Sequence, residues 1–314
     1  MRWSVEGGVG DGSELPGYQL VSPGAEGLRR GVIFPQGSIG GDPDLVREFV
    51  AGVEQAGFDH LVVPDHVLGV DPSAHPGWSG VYDVDDMFHE PMVLFGFLAG
   101  VCSLELVTGV LVLPQRQSVL VAKQAAEVDL LTRGRFRLGV GIGWNRVEYQ
   151  GMSAEFATRG RRIEEQVAVM RRLWTEPTVH FAGRDHRIDG AGIAPLPVQR
   201  PIPIWMGAER DPRSFARVGR LADGWMALGP PSAEASDRLG LIRSAAQSAG
   251  RDPGLVGVEA WVNAADGDMV RVAADVQGWR RLGATHVALN SRGPATSTVR
   301  QHLEILRRGA TVLE

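Results

Sequence analysis

Apolar positions in this chain follow two alternating patterns. Short, nearly continuous apolar runs recur at Gly31–Gln36, His60–His66, Leu104–Pro114, Arg135–Trp144, Ile202–Ala208, Asp223–Leu228, Leu255–Ala265 and His286–Asn290. A strand with one wet face alternates apolar and polar residues. A run that stays aliphatic predicts a parallel-sheet strand covered on both faces. Segments of helical period lie between the runs. Val46, Phe49, Val50 and Val53 share one face, and Gly57 supplies a left-handed stop. Ile163, Val167, Met170 and Trp174 form a second stripe, opposite Arg161, Arg162, Glu165, Arg171 and Arg172. Residues 54–63 (EQAGFDHLVV) and 280–289 (RRLGATHVAL) repeat one plan of helix end, glycine and buried strand.

Eight strand–helix units in about 285 residues predict an α/β fold, a (β/α)8 TIM barrel. The competing fold is an open doubly wound sheet, with Gly139-Val-Gly-Ile-Gly143 as its nucleotide loop. The third glycine of G-x-G-x-x-G would then fall on Trp144 or Arg146, and the run follows the fourth strand instead of the first. Residues 1–28 carry seven glycines and no period, which predicts a flexible tail ahead of a single domain at 29–314. Five prolines between Glu176 and Pro203 predict an insertion there, with a short hairpin around Val179–Ile188.

Composition narrows the classes of function. The longest apolar stretch, Pro91 to Cys102, falls well short of the ~20 residues that cross a bilayer, and no secretion signal opens the chain. A cytoplasmic location is therefore expected. A net charge of −5 offers no general attraction to nucleic acid or anionic lipid. Cys102 is the single cysteine, so no internal disulfide or Cys-based metal pattern is available. Of the 32 basic residues only Lys123 is lysine, a bias that a GC-rich genome produces.

In a barrel the chemistry sits at the C-terminal strand ends. Those ends carry Asp65-His66, Thr108-Gly109-Val110, Gly143-Trp144 and Gly207-Ala208-Glu209-Arg210. Asp71, His75, Asp83, Asp85, Asp86, His89 and Glu90 follow strand 2 and raise the alternative of a metal-dependent hydrolase. No H-x-H or HExxH accompanies them, so no metal site is expected, and no G-x-S-x-G elbow points to a serine hydrolase. His89-Glu90 reads as a cap on the apolar helix that follows.

Several stretches together resemble a known family. They are VVPDHVLG (62–69), HEPMVLFGFLAGV (89–101), LVTGVLVLPQR (106–116), AKQAAEVDLLTRGRFRLGVGIGWNRVEY (122–149), TRGRRIEEQVAVMRRLWTEP (158–177), PIPIWMG (201–207) and LADGWMAL (221–228). From about residue 30 to 308 the chain resembles the luciferase-like monooxygenase and coenzyme F420-dependent oxidoreductase superfamily. The resemblance implies a bacterial-luciferase-like barrel with insertions, usually a homodimer, binding a reduced flavin or 5-deazaflavin at the strand ends. It implies a non-proline cis bond at Gly109–Val110 beneath the cofactor ring, with Thr108 and Gly143 also lining the cofactor site. Asp65 would position the cofactor, and His66 would exchange a proton near its reactive edge. The cofactor phosphate would meet backbone N–H groups from Gly207 to Arg210, where the family's glycine pair is replaced by Gly207-Ala208 and Glu209 is an awkward neighbour. Trp144 would wall the pocket.

The expected activity is F420-dependent hydride transfer to or from a small organic substrate, in an enzyme from an actinobacterial source. An FMN-dependent monooxygenase and a non-catalytic cofactor carrier are the alternatives. Val70 stands where the family's sugar-phosphate and secondary-alcohol dehydrogenases have tryptophan, and Trp144 where they have glutamate, which argues against those substrates. Trp78, Tyr82 and Trp144 suggest an apolar one.

Overall fold

The computed structural model describes residues 27–294 and 296–313. All but the last two residues of the expected tail lie outside the described residues. Among the described residues eleven strands run β1 (Arg29–Ile33), β2 (His60–Val63), β3 (Glu105–Thr108), β4 (Leu111–Val112), β5 (Phe136–Gly141), β6 (Val179–Ala182), β7 (Arg187–Ala191), β8 (Ile204–Gly207), β9 (Gly224–Ala227), β10 (Gly257–Asn263) and β11 (His286–Asn290). Parallel pairing runs in the order β3-β2-β1-β11-β10-β9-β8-β5, and β3 also pairs with β5 through Leu106↔Phe136 and Val107↔Arg137. The sheet therefore closes into an eight-staved barrel. The insertion forms the antiparallel hairpin β6–β7, with Phe181 opposite Ile188.

The eight apolar runs are the eight staves, but two of them break early. The third stops at Thr108, passes the cis bond Gly109–Val110, resumes as β4 and ends in a 3-10 turn at Leu113–Gln115. The bond expected to be cis is cis. The fourth stops at Gly141, because Gly143 turns at φ 64° and carries Trp144 out of the barrel wall. Gly139 matters here for space: a Cβ on it would lie 1.9 Å from the Thr108 carbonyl oxygen, so β3 and β5 close only around a glycine.

The expected helical stripes face the barrel. Pro43–Gln55 buries Val46, Phe49, Val50 and Val53, and its N-cap Asp42 accepts from Asp44 N. Gly57 beyond it has φ 78°. Arg159–Thr175 buries Ile163, Val167, Met170 and Trp174. Among the described residues no helix is long and apolar enough to cross a membrane.

Inside the barrel two layers differ in chemistry. Near the N-terminal strand ends, Arg137 pairs with Glu259 at 2.7 Å and faces Glu105 at 3.4 Å, while His60 meets Glu259 at 2.9 Å. Burial pushes the Glu259 carboxyl up, but Arg137 and His60 outweigh it and hold the group down to about 2. A second, apolar layer contains Ile33, Val62, Val107, Trp205, Met226 and Ala288, with Val110 and Trp261 packed against it.

Candidate active site

The segment after β2 is clamped at each residue. Gln36 donates through Nε2 to the Pro64 carbonyl at 3.0 Å and accepts from His89 N at 2.9 Å. Asp65 accepts from Arg116 at 2.8 Å and from Val112 N at 3.1 Å. Its carboxylate is thus buried, and it joins β2 to the stretch just past the cis bond. Burial raises the Asp65 carboxyl above its ordinary range, and the Arg116 guanidinium and Val112 N–H offset only part of that. Arg116 also donates to Glu90 at 2.9 Å, and Glu90 caps Pro91–Leu98 by accepting from Val93 N.

His66 lies one residue further on. Its Nδ1–H donates to Glu148 Oε2 over a long 3.4 Å. Glu148 is fully buried on the short helix Arg146–Gly151, whose N-cap Asn145 accepts from Val147 N and Glu148 N. It also accepts from Val67 N at 2.6 Å, Leu68 N at 3.3 Å and Gln115 Nε2 at 3.0 Å. Burial alone would raise the Glu148 carboxyl. The hydrogen bonds from His66, Gln115 and Val67 outweigh it and hold the group below its ordinary value, as a carboxylate. A carboxylate only accepts, so this pairing puts a proton on His66 Nδ1 and takes no part of Nε2.

Aromatic rings surround that imidazole. Ring centroids of Phe88, Tyr82 and Trp144 lie 4.9, 5.1 and 5.7 Å from it, and Trp78 lies 5.7 Å from Trp144. Tyr82, Phe88 and Trp144, with Leu68, Met87 and the carboxylates Asp83 and Asp86, wall a cavity of about 270 Å³ at the barrel mouth. Arg292, beyond β11, fastens the covering loop through Asp86 at 3.1 Å.

The expected site residues fall into four places. His66 and Trp144 meet in the cavity wall, and Trp144 is 43% exposed there. Val110 and Gly207 are neighbours on the inner wall, since a Cβ on Gly207 would lie 3.4 Å from Val110 Cγ1. Glu209 and Arg210 are exposed beyond them, just before the helix Pro212–Leu221, while the Ala208 carbonyl accepts from Trp225 Nε1. Asp65 and Thr108 are buried behind this surface, where Thr108 Oγ1 donates to the Gly139 carbonyl at 2.6 Å. The acids after strand 2 serve the loop itself: Asp71 accepts from Ser73 N, Asp83 from Asp85 N, and Asp86 from Asp83 N. Among the described residues no group of three or more His, Cys, Asp or Glu side chains is arranged to hold a metal ion.

Three residues that shape this region were not singled out from the sequence. Glu148 left a trace, because Asn145 and Glu148 stand at cap and third helical position, but that pattern is common. The role of Arg116 depends on its pairing with Asp65, 51 residues away. Trp261 left no trace at all. Its indole is partly buried against Gly109, and Nε1 is a buried donor with no partner.

A family model described as luciferase-like monooxygenase matches residues 28–311. The chain is 32% identical over 163 residues to an F420-dependent hydroxymycolic acid dehydrogenase of Mycobacterium tuberculosis, covering 51% of this chain and 44% of that one. It is 31% identical over 172 residues to an FMNH2-dependent dimethylsulfone monooxygenase of Pseudomonas fluorescens, covering 54% and 46%. Among solved structures, an F420-dependent secondary alcohol dehydrogenase superposes with a TM-score of 0.71 at 17% identity, covering 92% of this chain and all of that one. This last likeness is one of fold.

Proposed function

The chain belongs to the luciferase-like monooxygenase family, and on that footing we propose that it is an oxidoreductase that binds coenzyme F420 at the barrel mouth and passes hydride between it and an apolar organic substrate. The observation that carries this reading is an imidazole with one nitrogen committed to a buried carboxylate, set in an aromatic-walled cavity at the strand ends.

The residues present fit a flat tricyclic ring. Val110, Val62 and Trp261 make an apolar platform around Gly109, where a Cβ would come within 2.3 Å of Val62 and 2.8 Å of Trp261. Trp261 Nε1 supplies an unpaired buried donor beside it. A bound deazaflavin would supply the hydride chemistry at its C5. The chain's own work is then to orient and to move a proton. Asp65 and Arg116 hold the segment behind the platform, Glu148 fixes the His66 tautomer, and His66 Nε2 gives or takes the substrate proton. Tyr82, Phe88 and Trp144 set apolar ring surface beside His66, which favours an apolar substrate.

FMN is the rival cofactor, since relatives of both kinds exist. Titration of the protein with F420 and with FMN, followed by cofactor fluorescence, separates the two. Saturable binding of F420 with weak or no FMN binding supports the reading, and binding of FMN alone overturns it.

A further inference from the structure

Away from the barrel mouth, three side chains from three elements form one hydrogen-bonded line. Ser118 opens the helix Ser118–Leu131, Glu165 lies on Arg159–Thr175, and His186 sits in the β6–β7 hairpin just before β7. Ser118 Oγ–H donates to His186 Nε2 at 2.6 Å, and His186 Nδ1–H donates to Glu165 Oε1 at 2.7 Å. The order of atoms is the one nucleophilic catalysis requires. The hydroxyl is on Nε2, and the carboxylate on Nδ1 fixes the tautomer that leaves Nε2 basic. Glu165 is itself held in place by Arg184 N at 2.8 Å and Asp185 N at 2.9 Å. The His186 and Glu165 side chains are 12% and 16% exposed while Ser118 is buried at 3%, so the line meets solvent from its imidazole and carboxylate end.

The surroundings supply the remaining part. Ser118 is the first residue of a 14-residue helix whose N-cap, Gln117, makes no side-chain cap, so the Val119 and Leu120 amides lack an intrahelical acceptor. A nucleophile followed directly by free helix N-terminal N–H groups has a ready site for a tetrahedral oxyanion. Val119 and Leu120 are 45% and 52% exposed, which puts apolar surface next to the hydroxyl.

We propose that Ser118, His186 and Glu165 form a second, hydrolytic centre that cleaves short-chain carboxylic esters. Ser118 Oγ forms a bond to the ester carbonyl carbon while its proton passes to His186 Nε2. The C–O bond to the alcohol then breaks, and the alcohol leaves with that proton. Water attacks the acyl-serine, again losing its proton to His186, and the carboxylic acid departs as Ser118 recovers its own. No oxidant, reductant or metal takes part. Sequence inspection misses this centre because residues 118, 165 and 186 share no local motif.

The test is to treat the folded full chain with a fluorophosphonate probe and, separately, with p-nitrophenyl acetate. Covalent labelling that maps by peptide mass to Ser118, with a nitrophenol burst, is the expected result. Ser118→Ala loses both, and His186→Gln slows acylation by at least about 100-fold. F420 or FMN binding, measured in parallel on Ser118→Ala, reports whether that variant is folded. If it is not, mapping the label on the wild-type chain decides alone. Absence of label at Ser118, or a burst that survives in folded Ser118→Ala, overturns the proposal.

Discussion

His66 and Glu148 stand 82 residues apart in the chain and meet over 3.4 Å, and the same carboxylate also holds the Val67 and Leu68 amides that follow the histidine. One buried acid therefore sets both the imidazole's proton and the path of the backbone leaving it. Glu148→Gln keeps an oxygen for the amides but also brings an NH2 group, which releases the His66 tautomer. Turnover is expected to fall about 100-fold while cofactor affinity stays within about threefold. The His66→Ala variant is expected to lose roughly 10²–10⁴ in turnover, again with affinity nearly intact. Separate measurement of kcat and cofactor Kd checks both. Lost affinity with unchanged kcat would remove His66 and Glu148 from proton transfer.

Asp65 makes a different prediction because it lies behind the surface. With one oxygen on Arg116 and the other on Val112 N, it ties β2 to the chain beyond the cis bond. Asp65→Asn removes one of the two carboxylates on the mostly buried Arg116 guanidinium while Glu90 remains, so the cost is expected to stay below the ~3–5 kcal/mol of an unpaired buried charge. Cofactor affinity is expected to drop by more than about tenfold, since the platform around Val110 loses its brace. Urea unfolding and cofactor titration of the same sample read both effects. An unchanged Kd would separate Asp65 from the cofactor site.

The strands were legible because a doubly covered stave must be apolar throughout, whereas the ends of staves were not. Leu104–Pro114 and Arg135–Trp144 read as single runs, yet both break where the mouth begins. Hydrophobicity there reports burial in the wall, not hydrogen bonding in the ladder. Gly139 shows the same limit: the spacing of its glycine run argued against a nucleotide loop, but only the structure puts Gly139 in the seam against Thr108. His66 and Trp144 were visible because strand ends carry chemistry. Glu148, Arg116 and Trp261 act through partners distant in sequence, and residue spacing alone gave no sign of those meetings.

The seam itself can be tested. Gly139→Ala places a Cβ 1.9 Å from a backbone carbonyl that cannot swing away, so the cost is expected to be at least the ~1–3 kcal/mol of ordinary overpacking. Gly96 is the control, inside the helix Pro91–Leu98 with nothing within 4 Å of an added Cβ. There alanine is expected to stabilise by up to about 1 kcal/mol. Urea midpoints of the two variants against wild type decide it, and equal shifts would mean the seam relaxes freely.

The charged layer inside the barrel predicts an acid-labile fold with a defined order of loss. His286 is buried beside Arg137 and His60, and burial first, then those charges, holds it well below its ordinary 6.5. The unfolded chain binds that proton as pH falls below 6.5 and the folded chain does not, so stability begins to decline there. Glu259 acts lower. Its folded value of about 2 lies beneath the ordinary 4.5, so its contribution is whole above 4.5 and disappears as pH falls toward 2. Glu259→Gln should therefore flatten stability against pH between about 4.5 and 2. It should also destabilise at neutral pH by up to about 3–5 kcal/mol, because Arg137 loses its nearest carboxylate and keeps only Glu105 at 3.4 Å. Denaturant unfolding at a series of pH values from 7 to 3 reads both effects. A variant that keeps the wild-type slope below 4.5 would place the acid sensitivity outside the barrel.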